Sequence, residues 1–189
     1  MNLFLKRCFD IVCSLIGLIF LSPIFLIIAI GIKIDSKGPV FFKQERRTIN
    51  GKIFKIYKFR SMCINAEKQG TGLFNFANDS RVTKIGRFLR DTSLDELPQL
   101  LNVLMGQMSL VGPRPSLPKE VAKFEPWMLK RLEVKPGLTC YWQVMGRNDI
   151  DFEEWMKLDI KYIYDRNIFL DIKLIFKTFF VLFGDESAS

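Results

Sequence analysis

Two carboxylates stand side by side in Ser93-Leu94-Asp95-Glu96-Leu97-Pro98-Gln99, and Arg87 and Arg90 precede them. Adjacent carboxylates can hold Mg²⁺ or supply a nucleophile, and guanidinium groups clamp phosphate oxygens. Asp95 and Glu96 are therefore candidates for catalysis and for Mg²⁺. Arg90 and Arg87 are candidates for an anionic substrate. The chain contains no histidine, which excludes Ser-His, Cys-His and His-metal mechanisms. Neither a P-loop nor a G-x-G-x-x-G is present, so any enzyme chemistry here runs on carboxylates. A structural reading competes. Ser93 with Glu96 matches a capping box, and first-turn acids suit the positive end of a helix. Pro98 is free of cost only if that helix starts near Asp95, which takes Glu96 out of the box. Spacing alone leaves catalysis and capping both open.

Further cations sit on stiff segments. Gly112-Pro113-Arg114-Pro115 fixes two backbone φ angles around one guanidinium, and Lys135-Pro136-Gly137 is followed by Gly146-Arg147. Rigid presentation of Arg114 suits bidentate phosphate binding; a structural turn with an exposed arginine is the alternative. Lys58 and Arg60 fall on one face of a strand, where they present two cations together or guard a solvated edge.

These residues need elements to position them. Val40-Phe41-Phe42-Lys43-Gln44 and residues 53–59, with Asn50-Gly51 between them, predict a β-hairpin. Residues 65–80, rich in Gly, Asn and Asp, read as a loop. Val82, Ile85, Phe88 and Leu89 make the apolar stripe of a helix whose other stripe is Arg81, Lys84, Arg87 and Arg90. Two more helices are expected over 151–166 and 168–183, the latter interfacial and amphipathic or, alternatively, a core helix. The four cysteines lack metal-site spacing and read as reduced, mostly buried small hydrophobes.

Residues 11–32 carry no charge but contain Ser22-Pro23 near their centre. About 22 helical residues reach about 33 Å, close to the thickness of a hydrocarbon core. Pro23 lacks an N–H and clashes one turn back, while the Ser22 hydroxyl can reach the freed carbonyl, so a helix-break-helix is expected. Lys6 and Arg7 before the run, and Lys33 and Lys37 after it, favour the cytoplasmic side for both ends. A re-entrant hairpin meets both conditions; a kinked spanning helix or a signal peptide is the alternative. The chain thus divides into an anchor over 1–35 and a cytoplasmic domain over 36–189. The expected fold class is α+β, mainly helical with a small β-hairpin. A net charge of +8 calls for an anionic partner. A tethered nucleic-acid binder would share that charge, but basic residues interleave with acids and no nucleic-acid motif occurs. A non-enzymatic membrane adaptor is the other rival.

The Ser22-Pro23 segment, Lys58-Phe59-Arg60-Ser61-Met62, Arg90 followed by the Asp95-Glu96 motif, Gly112-Pro113-Arg114-Pro115, Lys135-Pro136-Gly137 and Gly146-Arg147 occur in one order. That ordered set, over about residues 6–180, resembles the bacterial sugar transferase family, the small monotopic phosphoglycosyl transferases. The resemblance implies transfer of a sugar 1-phosphate from a nucleotide-diphosphate sugar, usually a UDP-sugar, to a polyprenyl phosphate such as undecaprenyl phosphate, with release of UMP. It implies Asp95 as the nucleophile of a ping-pong reaction, Glu96 as its partner in the dyad with Mg²⁺, and Arg90 as a phosphate-orienting residue. Lys58, Arg60, Arg114 and Arg147 match motif positions near the anionic substrates. The implied location is the cytoplasmic face of the bacterial inner membrane.

Overall fold

A computed structural model describes residues 1–66, 79–146 and 150–182. Most of the expected 65–80 loop, Arg147 and the end of the expected 168–183 helix lie outside the described residues. In chain order the elements are α1 (Leu3–Asp35), β1 (Phe41–Arg47), β2 (Ile53–Phe59), α2 (Lys84–Asp91), α3 (Gln99–Leu104), β3 (Ser109–Val111), α4 (Pro118–Val121), β4 (Gly137–Thr139), α5 (Tyr141–Val144), α6 (Phe152–Asp165) and α7 (Ile168–Leu182). The architecture is α+β and mostly helical, with one antiparallel and one parallel strand pair.

The hairpin is β1–β2, paired from Phe41↔Phe59 to Arg47↔Ile53. Its turn places Asn50 and Gly51 at φ 57° and 70°, the left-handed conformation that this residue pair adopts readily. Phe54 and Ile56 alternate into the main core with Val103, Met108, Val111 and Tyr162. Phe59 points the other way, into a second cluster with Leu89, Ile28 and Ile32.

The two proline-glycine motifs form a single seam. Strands β3 and β4 pair in parallel, and the Gly137 amide donates to the Pro113 carbonyl at 2.9 Å. A Cβ on Gly137 would lie 2.1 Å from the Gly112 nitrogen, so the two backbones approach as only glycine permits. The stiffness expected of each loop is therefore mutual.

Helix α1 departs from the expected helix-break-helix. Residues 3–35 form one continuous helix with Pro23 inside it, and a re-entrant hairpin is not shown. Proline removes a single N–H, and the Ile19 carbonyl it deprives accepts from the Ser22 hydroxyl at 2.8 Å. Helical neighbours then hold the dihedrals on either side. A stripe along α1 faces the rest of the chain: Lys6, Asp10 and Ser14 are buried near its start, and Ile28 and Ile32 near its end. Gly17 sits against Leu100, and Phe25 packs edge-on against Phe59 at 5.2 Å. The opposite face is apolar and uncovered, with Phe20 78% and Ile27 70% exposed. By length and composition α1 is able to cross a membrane.

Both ends of α1 dock on the same body. At the start, buried Lys6 Nζ lies 2.8 Å from Asp10 and 2.9 Å from Asp171 of α7. Arg7 donates to the Val103 and Leu104 carbonyls at the end of α3. At the other end, Asp35 accepts from the Ile85 amide in the first turn of α2. Helix α7 buries Asp171 and Leu174 in the body while leaving Phe169, Phe176 and Phe180 exposed, so it has a core face and an uncovered apolar face. All four cysteines are free, but Cys8 and Cys63 are exposed rather than buried; only part of that expectation holds.

Candidate active site

The carboxylate pair is positioned by an interrupted helix entry. Ser93 adopts φ 56°, ψ 13°, a left-handed conformation costly for a residue with a Cβ, and its side chain caps nothing. A 3-10 turn, Leu94–Glu96, follows, and α3 begins only at Gln99 after Pro98. The capping box is thus not formed. Glu96 turns to Lys58, 2.6 Å away, with an Arg114 nitrogen at 3.6 Å from the same oxygen.

Three elements deliver the cations. Lys58 comes from the end of β2, where it pairs with Phe42 across the hairpin. Arg90 comes from α2, capped by the Thr83 hydroxyl, which accepts from the Gly86 amide at 3.0 Å. Gly86 is required there because a Cβ would fall 2.0 Å from the Ser61 carbonyl oxygen. The close approach lets Arg90 Nε donate to Ser61 Oγ at 2.9 Å. Arg114 rises from the glycine seam and lies 5.6 Å over the Trp142 ring.

Environment separates the two carboxyls. Burial pushes Asp95 up to about 6, against the pull of Lys58. Burial acts the same way on Glu96, but Lys58 and Arg114 outweigh it and hold that carboxyl at about 2. One group is ionised at every working pH, and the other titrates near neutrality.

A cavity of about 1280 Å³ gathers Lys58, Arg60, Arg87, Arg90, Asp95, Glu96 and Arg114 on its lining. Arg87 is exposed at its edge. Arg60 also lines the cavity, while its guanidinium, in a side chain 5% exposed, donates to the carbonyls of Ser36, Lys37 and Pro39 at 2.6–2.9 Å. Strand β2 ends at Phe59, so Lys58 and Arg60 do not share a strand face, but the cavity brings both onto its lining. Arg147 lies outside the described residues.

Several positioning residues were missed by spacing. Gln99 hydrogen-bonds Glu96 and helps to keep it ionised. Arg131 is buried; it donates to the Arg114 carbonyl at 2.8 Å and to Ser116 Oγ, and lies 2.5 Å from Asp159 of α6. Ser61 and Gln99 stand inside the quoted motifs Lys58–Met62 and Ser93–Gln99, so a signal for them was present in the sequence. Arg131 and Asp159 lie on segments without any motif.

Asp95 and Glu96 provide the hard oxygen donors that Mg²⁺ takes, and no group of three metal-ligating side chains occurs among the described residues.

Fold and site together define an α+β domain with one long apolar helix, whose carboxylate pair, Asp95 buried and Glu96 half-buried, lines a cavity with several cations, a class suited to phosphate chemistry. A family model described as bacterial sugar transferase matches residues 1–185, and the chain belongs to that family. It is 46% identical over 188 residues to the galactosyl transferase CpsE of Streptococcus agalactiae serotype III (strain NEM316), covering 94% of this chain and 42% of the relative. It is 42% identical to the UDP-glucose:undecaprenyl-phosphate glucose-1-phosphate transferase of Escherichia coli (strain K12), over 99% of this chain and 42% of that protein. It is 37% identical to the exopolysaccharide production protein ExoY of Rhizobium meliloti (strain 1021), over 92% of this chain and 83% of the relative. The chain therefore spans less than half of the first two relatives and most of the third.

Proposed function

We propose that this chain is a phosphoglycosyl transferase that moves a sugar 1-phosphate from a UDP-sugar to a polyprenyl phosphate, undecaprenyl phosphate being the acceptor named for several relatives. The observation that carries this reading is the split pair: Glu96 locked as an anion by Lys58 and Arg114, and Asp95 buried beside it with its carboxyl lifted to about 6. Such a pair separates a structural charge from a reactive one.

In the first step an Asp95 carboxylate oxygen attacks the sugar-bearing phosphorus, and the bond to the UMP oxygen breaks. UMP leaves with that electron pair, and an aspartyl phosphosugar remains. In the second step an oxygen of the lipid phosphate attacks the same phosphorus. The Asp95–phosphorus bond breaks, the carboxylate is restored, and a polyprenyl-diphosphate sugar results. In this reading Arg90 and Arg114, which line the cavity with Asp95, neutralise charge on the transferring phosphoryl group, and Lys58 supplies positive charge for the departing phosphate. Arg87 offers a further cation at the cavity edge, and Arg60 holds the anchor linker beneath the site. Glu96, with Asp95, would hold Mg²⁺ against the diphosphate, where the ion neutralises phosphate charge.

The anchor suits this chemistry. With both ends of α1 fixed to one folded body, its uncovered face dips into a single leaflet and sets the site at headgroup depth, on the cytoplasmic face of the bacterial inner membrane. The product would open the assembly of a surface glycoconjugate.

Incubating the protein with labelled UDP-sugar and no lipid should yield one equivalent of UMP and a mass addition on Asp95. A reaction that proceeds only when both substrates are present, with no adduct, would rule out the two-step route.

A further inference from the structure

The loop that carries Arg114 is held from several sides at once. Its successive carbonyls each accept a hydrogen bond from a different donor: Pro113 from the Gly137 amide at 2.9 Å, Arg114 from Arg131 at 2.8 Å, Pro115 from Arg46 at 2.9 Å and Ser116 from the Arg47 amide at 2.9 Å. Pro113 and Pro115 fix φ on either side, so the backbone at Arg114 has little freedom. The side chain is held as well. Its guanidinium carbon lies 5.6 Å over the Trp142 ring, and Trp142 on α5 stacks on Trp155 of α6 with ring centres 4.9 Å apart and planes 26° apart. The Arg131 guanidinium carbon lies in turn 5.3 Å over the Trp155 ring. Arg114, Trp142, Trp155 and Arg131 are thus in contact in series, and the hydrogen bond from Arg131 to the Arg114 carbonyl closes the series into a ring. Arg131 is 3% exposed, paired with the fully buried Asp159 and bonded to Ser116 Oγ at 2.8 Å. Trp155 Nε1 is buried with no hydrogen-bond partner among the described residues. An indole kept for its N–H would have one, so this position uses the ring.

We propose that Arg131 and Trp155 are positioning residues for the transfer step, Arg131 fixing the Arg114 backbone and Trp155, through Trp142, fixing its guanidinium against the transferring phosphoryl group. The inference rests on the transferase reading above and adds how its arginine is held ready. Neither Arg131 nor Trp155 lines the cavity, so both act through Arg114 rather than on substrate. A loosened Arg114 keeps its charge and length and still reaches a bound diphosphate. It no longer stays on the charge that builds during transfer, so the loss falls on rate and not on binding.

The test uses the full chain in nanodiscs and follows single-turnover UMP release from a labelled UDP-sugar without acceptor. Trp155→Leu should slow that step by about tenfold to a hundredfold while donor Kd changes by less than about threefold. Arg131→Lys, which leaves a cation for Asp159 but not the planar fork, should behave the same way. Trp155→Phe restores a ring face and should recover most of the rate. In an Arg114→Met background, Trp155→Leu and Arg131→Lys should slow the step little further, because the group they position is already gone. A packing role alone would instead multiply the losses, so full additional slowing in that background would overturn the proposal. Trp155→Phe as slow as Trp155→Leu, or a loss of donor affinity as large as the loss of rate, would overturn it too. An unaltered chain that releases no UMP and gains no mass at Asp95 sinks the transferase reading itself, a failure visible before any variant is compared.

Discussion

At the scale of single residues, the site depends on unequal surroundings for two neighbouring carboxyls. Asp95 is 8% exposed, and burial raises it to about 6, with Lys58 pulling in the other direction. Its reactive form is the carboxylate, so transfer should fall on the acid side with a midpoint near pH 6. Lys58→Met removes the lowering cation and should move that limb to higher pH, read from initial rates at saturating donor. The stability consequence has the opposite sense to that of an ordinary salt-bridged aspartate. A carboxyl raised on folding contributes fully below its unfolded value and loses that contribution as pH rises through about 6. Asp95→Asn should therefore abolish turnover yet stabilise the fold at pH 8, by on the order of 1–3 kcal/mol. The gain should vanish near pH 4, as differential scanning at the two pH values would record. Loss of stability in Asp95→Asn at pH 8 would contradict this account of the buried charge.

At the scale of elements, close backbone approach places the cations. Helix α2 reaches the end of β2 only because residue 86 has no Cβ, the Ser61 oxygen lying 2.0 Å from where one would be. Gly86→Ala should displace α2, cost about 1–3 kcal/mol as overpacking does, and lower activity further than its stability loss explains, since Arg90 leaves Ser61. Thr83→Ala removes only the cap and should cost about 1 kcal/mol with activity largely kept. Equal activity losses in the two variants would show that Arg90 placement is not what Gly86 serves. Among the elements, the hairpin, α2, α6 and α7 were legible because periodicity and the Asn50-Gly51 turn report local conformation directly. The β3–β4 seam was not, because three-residue strands carry no periodic signal and their pairing is set by contact between distant glycines.

At the scale of the molecule, α1 joins the body at both ends while keeping one face uncovered. Cys8 is exposed near its start, and Lys37 lies just past its end. If α1 dips into one leaflet, Cys8 and a cysteine introduced by Lys37→Cys should react with an impermeant maleimide from the same side of sealed vesicles. Reaction from opposite sides would make α1 a spanning helix and sink the monotopic arrangement. Pro23 sits inside a continuous helix, where the Ser22 hydroxyl donates to the Ile19 carbonyl that the proline leaves without its N–H partner.

By itself, the sequence determined the chemistry that is possible: no histidine, paired carboxylates at Asp95-Glu96, arginines on rigid loops, and an apolar segment with a proline within it. Residue type and local spacing suffice for that, since they depend on neighbours along the chain. Tertiary structure decided which readings held. It dissolved the capping box, gave Glu96 to Lys58 and Arg114, turned Arg60 inward to the linker and set Arg131 with Asp159 behind Arg114. Those outcomes follow from burial and from charges far apart in sequence, and neither quantity exists until the chain has packed.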